Sequence, residues 1–228
     1  MTISSKHLIA VLLAATVSFI SPTTSQAAIV ITEVMANSAH PGSGGTSNAD
    51  WFEIYNNGTT TIDLTGWSWD DESEEAGTAN FGSVTSLAAG QALIVTGEPE
   101  GTEASWLTDW GNPTVNLIHR DTFPGLGSGG DGLRLFDNTG ALVYSVDFGV
   151  ATEGVTFAYD SSGSYLGQSA EGVNGAFRAT FDGAGGAGID IGSPGFVVTA
   201  IPEPSSLAGC LILATGICCG RRKRSTVR

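Results

Sequence analysis

Short strand-like runs separated by turn signals dominate the middle of this sequence. β-branched and aromatic residues recur in eight such runs, at 29–34, 51–55, 60–64, 66–69, 92–95, 133–136, 141–148 and 155–159. Glycines, 32 in the chain, separate many of them, and helical periodicity is nearly absent. Because such runs bury a core only by packing one sheet on another, the pattern predicts an all-β, antiparallel two-sheet sandwich.

Local signals indicate how these runs are connected. Two connections have the composition of hairpin turns: Asn56-Asn57-Gly58, and Asp137 to Gly140. In the run ALVYSVDF, alternate residues from Leu142 to Phe148 fall on one face, which predicts a half-buried strand. Residues 160–193 are rich in glycine and serine, so we expect long loops there, with one or two edge strands around 177–181.

One short helix is expected, from Glu103 to Trp110. Thr102 stands at the N-cap position and Gly111 at the C′ position. Trp106 and Trp110 fall on the same side of this helix.

The N-terminus has the layout of a secretory signal peptide. Lys6 and His7 precede an apolar run at 8–20, and small residues follow at 25–27. The run is too short for a comfortable membrane span. We therefore predict a signal peptide over residues 1–27, cut between Ala27 and Ala28.

A second apolar segment, 205–220, lies near the C-terminus and is followed by four basic residues. These are Arg221, Arg222, Lys223 and Arg224. Basic residues that flank a span are held on the cytoplasmic side. The segment covers about 24 Å as a helix, enough to span if the arginine stems snorkel. The prediction is a transmembrane segment at 205–220, a cytoplasmic tail at 221–228, and residues 28 to about 200 outside.

The triplet Pro202-Glu203-Pro204 stands just before that segment. Two prolines disfavour helix, so the triplet is expected to be extended and exposed, in a linker over residues 198–204. This triplet, the short apolar helix and the arginine-rich end together resemble the PEP-CTERM sorting signal. The resemblance implies cleavage near the triplet by an exosortase in the membrane, then release to the cell envelope or extracellular matrix. A permanent membrane anchor is the alternative.

The charge distribution excludes several partners. Between residues 28 and 200 there are 22 Asp and Glu residues against three arginines and no lysine, a net charge of -19. Nucleic acid is therefore excluded as a partner, because phosphate binding requires clustered basic residues. The three cysteines, Cys210, Cys218 and Cys219, lie in the C-terminal apolar segment, so the exported region has no disulfide.

Residues 29–69 carry a second resemblance. The segments IVITEVMAN, DWFEIYNNGTTTIDLTGWSWDD and LAAGQALIV are similar to those of the lamin-tail domain, as are SGGDGLRLFDNTGALVYSVDFG and the closing GSPG at 192–195. The resemblance implies an immunoglobulin-like β-sandwich over residues 28–197.

The strongest part of this resemblance, DWFEIYN, also has a physical interpretation. Phe52 and Ile54 point to one face of a strand, whereas Trp51, Glu53 and Tyr55 point to the other. A carboxylate at position 53 needs hydrogen-bond donors if it is buried.

Catalytic signals are weak in the exported region. Its histidines are His40 and His119, both in loop-like sequence, and no G-x-S-x-G motif occurs. Two glycine-rich stretches, at 127–132 and 183–188, are not followed by a helix that would receive a phosphate. We therefore expect no enzyme and no organic cofactor.

Calcium is the one metal that the sequence suggests. Asp70, Asp71, Glu72, Glu74 and Glu75 form an acidic loop, and carboxylates on a flexible loop suit Ca²⁺. The spacing matches no EF-hand, and a solvated acidic loop is the alternative.

These observations predict an exported, non-catalytic module for adhesion, structural contact, or interaction with protein or polysaccharide. A carbohydrate-binding module is the first alternative, with exposed Trp69, Trp106 or Trp110 as a stacking surface. A calcium-dependent extracellular hydrolase is the second.

Overall fold

A computed structural model describes residues 28–39, 50–98, 101–120, 122–180 and 190–199 of the chain. The predicted signal peptide, the Pro-Glu-Pro triplet, the predicted transmembrane segment and the basic tail lie outside these residues. Among the residues described, no helix is both long enough and apolar enough to cross a membrane.

The described residues form fourteen strands and one helix. In chain order these are β1 Ile29–Met35, β2 Trp51–Asn56, β3 Ile62–Asp63, β4 Ser68–Asp70, β5 Ala79–Asn80, β6 Ser86–Leu87, β7 Ala92–Thr96, α1 Glu103–Asp109, β8 Asn116–His119, β9 Asp131–Phe136, β10 Leu142–Phe148, β11 Phe157–Tyr159, β12 Tyr165–Gln168, β13 Phe177–Arg178 and β14 Ile191–Gly192.

Two sheets pack face to face and confirm the predicted sandwich. One has six strands in the order β12-β11-β1-β2-β7-β8, and the other has four in the order β10-β9-β4-β5. Their pairings are antiparallel except for β7 with β8, which is parallel. The core lies between them, where Phe52 of β2 meets Trp69 of β4 with ring centroids 4.8 Å apart.

The opposite face of the six-stranded sheet is also covered, at one end. Trp51 of β2 packs edge to face against Trp106 and Trp110 from α1 and its C-terminal end, with centroids 5.8 and 5.4 Å away. Because Phe52 and Trp51 are adjacent in a strand, they serve opposite faces, as the sequence pattern predicted. We call the face that carries Trp51 the outer face.

The predicted helix is confirmed, and Thr102 stands at its N-cap position as expected. Helix α1 begins at Glu103, and Thr102 makes no capping side-chain hydrogen bond. The Thr102 hydroxyl instead contacts Nδ1 of His119 at 3.0 Å. At the other end, Gly111 has φ of 70° and donates its N–H to Thr108 O, as expected of a C′ glycine.

Of the two predicted hairpins, one is confirmed and one is wrong. Asp137 to Gly140 joins the paired strands β9 and β10. The turn at Asn56 does not fold β3 back onto β2, since β3 pairs with β6. The buried Asn56 amide donates to Thr60 O and Leu87 O, which directs the chain away from the six-stranded sheet.

Strand β10 is half-buried in a different way from the prediction. Val146 and Phe148 are buried, whereas Leu142 is 51% exposed. Strand β10 is an edge strand of the smaller sheet, so its first half receives little cover.

We predict that Trp51→Ala destabilises the domain strongly. Trp51 is fully buried between two other tryptophans, and removing a buried aromatic side chain costs about 3–5 kcal/mol. Urea unfolding followed by circular dichroism measures the change. The control Val150→Ala, at a side chain 74% exposed, should stay within about 0.5 kcal/mol of wild type. Equal midpoints for the two variants would contradict the assigned packing.

Candidate functional site

Two glutamates face each other at the centre of the outer face. Glu33 of β1 and Glu53 of β2 are cross-strand partners, and each is 1% exposed. A buried carboxyl group is tolerated only when hydrogen bonds replace the water that it has lost. The bonds made by this pair therefore show what the site does.

Both carboxyl groups hold the segment 192–197, which we call the strap. Glu53 accepts hydrogen bonds from the Thr32 hydroxyl and from Gly195 N–H, both at 2.6 Å. Glu33 Oε1 accepts from Ser193 N–H at 2.7 Å and from the Thr156 hydroxyl at 2.6 Å. The pair thus fastens the strap across the six-stranded sheet.

Gly192 shows how closely the strap lies on the sheet. A Cβ atom at position 192 would stand 2.9 Å from Glu33 Oε1, 3.1 Å from Thr156 Cγ2 and 3.2 Å from Trp110 Cη2. Since a side chain at 192 would displace its neighbours, glycine is required there by close approach.

Burial raises the pKa of both glutamates, so each is a weaker acid than an exposed glutamate. It raises the pKa of Glu33 from 4.5 to about 8, and the nearby charge of Glu53 acts in the same direction. Burial likewise raises the pKa of Glu53 to about 7, against the lowering effect of its hydrogen bonds with Thr32 and Gly195. Two such groups side by side favour the protonated forms near neutral pH.

The structure describes all five residues of the predicted acidic loop and gives most of them internal partners. Asp70 is buried and accepts from the Ser73 hydroxyl at 2.6 Å and from Glu75 N–H at 2.7 Å. Asp71 accepts from Ser73 N–H at 2.8 Å. Asp70 and Asp71 therefore shape the turn that follows β4.

Glu72 and Glu74 are tied to strand β9. Glu74 forms an ion pair with Arg134 at 2.7 Å, and Arg134 also donates to Val146 O at 2.9 Å. A hydrogen bond with Asp131 raises the pKa of Glu72. In the part of the chain that is described, no three Asp, Glu, His or Cys residues are grouped as metal ligands. Calcium binding by this loop stays a prediction.

The predicted tryptophan stacking surface is wrong. Trp69, Trp106 and Trp110 are each no more than 2% exposed. They pack against Phe52 and Trp51 and present no ring to solvent. Sequence alone marks them as large apolar anchors but does not say which face each one covers.

The sequence context of His119 predicted a loop, and this prediction is wrong. His119 ends β8, is 3% exposed, and its Nδ1 contacts Glu98 O at 3.2 Å. A side chain buried in this way supports the junction of β8 and α1 and is inaccessible to a substrate.

The glycine-rich stretch at 127–132 runs into β9 and opens no helix, as expected. His40 and residues 183–188 lie outside the described residues.

The sequence pattern indicates Glu53 as a buried carboxyl group, but it does not indicate Glu33 or the role of the strap. Glu33 stands in IVITEVM, a run whose seven residues are all buried, so a charged residue inside a fully buried strand was the available signal. Its partners Thr156 and Ser193 are more than 120 residues away along the chain. No local pattern connects them.

We predict that Glu33→Gln flattens the pH dependence of stability. Because the folded-state pKa is raised, stability from this group is full below its ordinary pKa of 4.5 and is lost as pH rises toward 8. At about 1.4 kcal/mol per pKa unit, wild type loses a few kcal/mol over that range, whereas the carboxamide of the variant cannot ionise. Urea unfolding at a series of pH values measures the difference.

The matched control is Glu153→Gln, at an exposed position. It should keep the wild-type pH profile, including the contribution of Asp50, whose pKa burial raises to about 6. A Glu33→Gln profile as steep as that of wild type would contradict the assignment.

A calcium site at the acidic loop predicts that millimolar Ca²⁺ raises the melting temperature and releases measurable heat. Glu72→Gln should remove both effects, because it deletes one exposed ligand of the loop. Titration calorimetry and thermal melts of residues 28–200 measure them. Absence of heat and of a melting shift in wild type would exclude the site.

Comparison with known proteins agrees with this architecture. No curated protein matches the chain. A family model described as Lamin Tail Domain matches residues 22–149, more than half of the 228 residues. The match ends just after β10, but β11 pairs with β1 and the strap is bonded to Glu33 and Glu53, so the packed unit continues beyond it. The chain belongs to the lamin tail domain family, and its sandwich is immunoglobulin-like, as the sequence resemblance implied.

Proposed function

We propose that this chain is an exported, non-catalytic β-sandwich module that makes adhesive or structural contacts with protein or polysaccharide at the cell envelope or in the extracellular matrix. The observation that carries the proposal is the use of the buried polar side chains. Glu33 and Glu53 hold the strap, and Asp70 holds the turn after β4. These groups stabilise the domain and do not converge on a substrate.

Family membership supports the absence of catalysis. The chain matches the lamin tail domain over residues 22–149, and lamin tail domains of this immunoglobulin-like type are generally non-enzymatic. Buried His119 is also unsuited to act as a general base, because proton transfer requires contact with the substrate.

Export is supported by the two ends of the sequence. The basic start and apolar run of residues 1–27 are those of a signal peptide. The order of Pro202-Glu203-Pro204, an apolar segment and a basic end supports sorting by an exosortase. An acidic domain without cysteine needs no oxidative folding in the compartment that it reaches.

We predict that the mature protein lacks both ends. Mass spectrometry of the protein from envelope and medium fractions should show loss of residues 1–27 and of the residues beyond about Pro204. The triple variant P202A/E203A/P204A should instead accumulate in the membrane fraction with its C-terminus intact, because the recognition triplet is gone.

Two other outcomes are informative. Wild-type protein that keeps its C-terminus in the membrane would contradict sorting and indicate a permanent anchor. Full-length protein in the cytosol, with neither end removed, would overturn export altogether.

A further inference from the structure

An open groove of about 540 Å³ lies on the outer face beside the strap. Its floor includes Tyr55 of β2 and Ala92 of β7, which are cross-strand partners. Asn116, at the start of β8, lies on one side, and Phe196 of the strap lies on the other. This volume is within the range of clefts that hold small ligands or a few units of a polymer.

The strap fixes Phe196 as a wall of this groove. Gly195 N–H donates to buried Glu53, and Phe196 N–H donates to Ser193 O at 2.8 Å. The ring lies against Gly175, where any Cβ atom would overlap it. Phe196 is nevertheless 55% exposed, so the chain holds an aromatic ring in a defined position with much of its surface open.

Gly195 lines the groove where the strap meets the loop before β8. Its φ of 79° is in the left-handed region, and a Cβ atom there would stand 2.6 Å from Val115 Cγ1. The strap therefore meets the loop that precedes β8, and both contribute to the groove lining. Its shape depends on packing that is already present without a ligand.

The lining combines aromatic rings with neutral polar groups. Tyr55 and Phe196 supply rings, Gln91 and Asn116 supply carboxamides, and Thr114 supplies a hydroxyl. Gln91 Oε1 accepts from Ala88 N–H at 3.1 Å, which orients its carboxamide. Rings offer flat apolar surfaces, and carboxamides both donate and accept hydrogen bonds.

None of the described residues that line the groove is Asp, Glu, Lys, Arg or His. Residues 28–200 carry 22 acidic side chains, and the described groove lining contains none of them. An anionic ligand would meet the negative field of the domain without a compensating cation, and a cationic ligand would find no carboxylate among these lining residues. The groove therefore suits a neutral ligand whose hydroxyl groups can bond to the carboxamides and whose ring faces are apolar enough to stack on Tyr55 or Phe196.

We propose that this groove binds a segment of a neutral polysaccharide, with Phe196 as the stacking platform and Asn116 and Gln91 as hydrogen-bonding groups. The inference rests on the proposed function and names the class of matrix polymer that the module contacts. Glu53 is a positioning residue, since it holds the strap that carries Phe196 and does not itself line the groove.

The test is titration calorimetry of the mature protein with cellohexaose, maltohexaose and mannohexaose as neutral probes. Hexagalacturonate serves as the acidic probe, and a glycine-serine hexapeptide as the peptide probe. We expect saturable binding of at least one neutral hexaose, with little change when the salt concentration rises, because no ion pair is involved.

Phe196→Ala should weaken that binding by about tenfold or more, as truncation of an aromatic anchor does. Asn116→Ala should weaken it by a smaller factor. The control Tyr165→Ala removes an aromatic side chain that is 57% exposed and lies outside the groove lining, so it should bind as wild type does. Unchanged far-ultraviolet circular dichroism verifies that each variant is folded.

Three results would overturn the proposal: no binding of any neutral hexaose, binding that Phe196→Ala leaves unchanged, or binding of the acidic or peptide probe alone. Each is distinguishable from failure of the proposed function, which mass and location of the protein decide separately. If the protein is processed and located in the envelope as proposed but binds no neutral hexaose, the polysaccharide-binding groove is contradicted. The proposed function as an exported interaction module is then unaffected.

Discussion

The carboxyl pair at the centre of the outer face determines how the C-terminal part of the domain is held. The strap brings backbone N–H groups of Ser193 and Gly195 onto a buried surface, where each needs an acceptor. Glu33 and Glu53 supply those acceptors from two neighbouring strands. Apolar residues at these positions would pack equally well but would leave both N–H groups unsatisfied, at a cost of about 1–3 kcal/mol each. Polar residues in the middle of this sheet are therefore a requirement of the strap that crosses it.

This arrangement divides the outer face into three zones with different tasks. Trp51 lies under α1 at one end, and Glu33 lies under the strap at the centre. Tyr55 lies beyond the strap, in the open groove. Alternate residues of β2 serve all three zones: Trp51 packs under α1, Glu53 holds the strap by a hydrogen bond, and half-buried Tyr55 lines the open groove.

The parts of the fold that depend on local chemistry were predictable from sequence, and those that depend on distant partners were not. Asp137 to Gly140 forms a hairpin because its turn residues suffice to reverse the chain. Asn56 has the same kind of composition, but its amide is captured by Leu87 O, 31 residues away, so the chain crosses to another sheet. The groove could not be predicted for the same reason. Tyr55, Asn116 and Phe196 are far apart in the sequence, and the position of the strap brings Phe196 to the same groove as the other two.

The negative charge of the domain and the absence of charged side chains from the described groove lining both disfavour anionic polymers as ligands. Few cations oppose the acidic side chains, and one of them, Arg134, is already paired with Glu74. The surface field therefore repels anionic polymers and other copies of the same chain, with a range set by the Debye length of about 8 Å at physiological salt. A neutral polymer is not opposed by this field. Recognition of such a polymer would depend on ring stacking and hydrogen bonds at short range, which are the interactions that Phe196 and the carboxamides of the groove lining could supply.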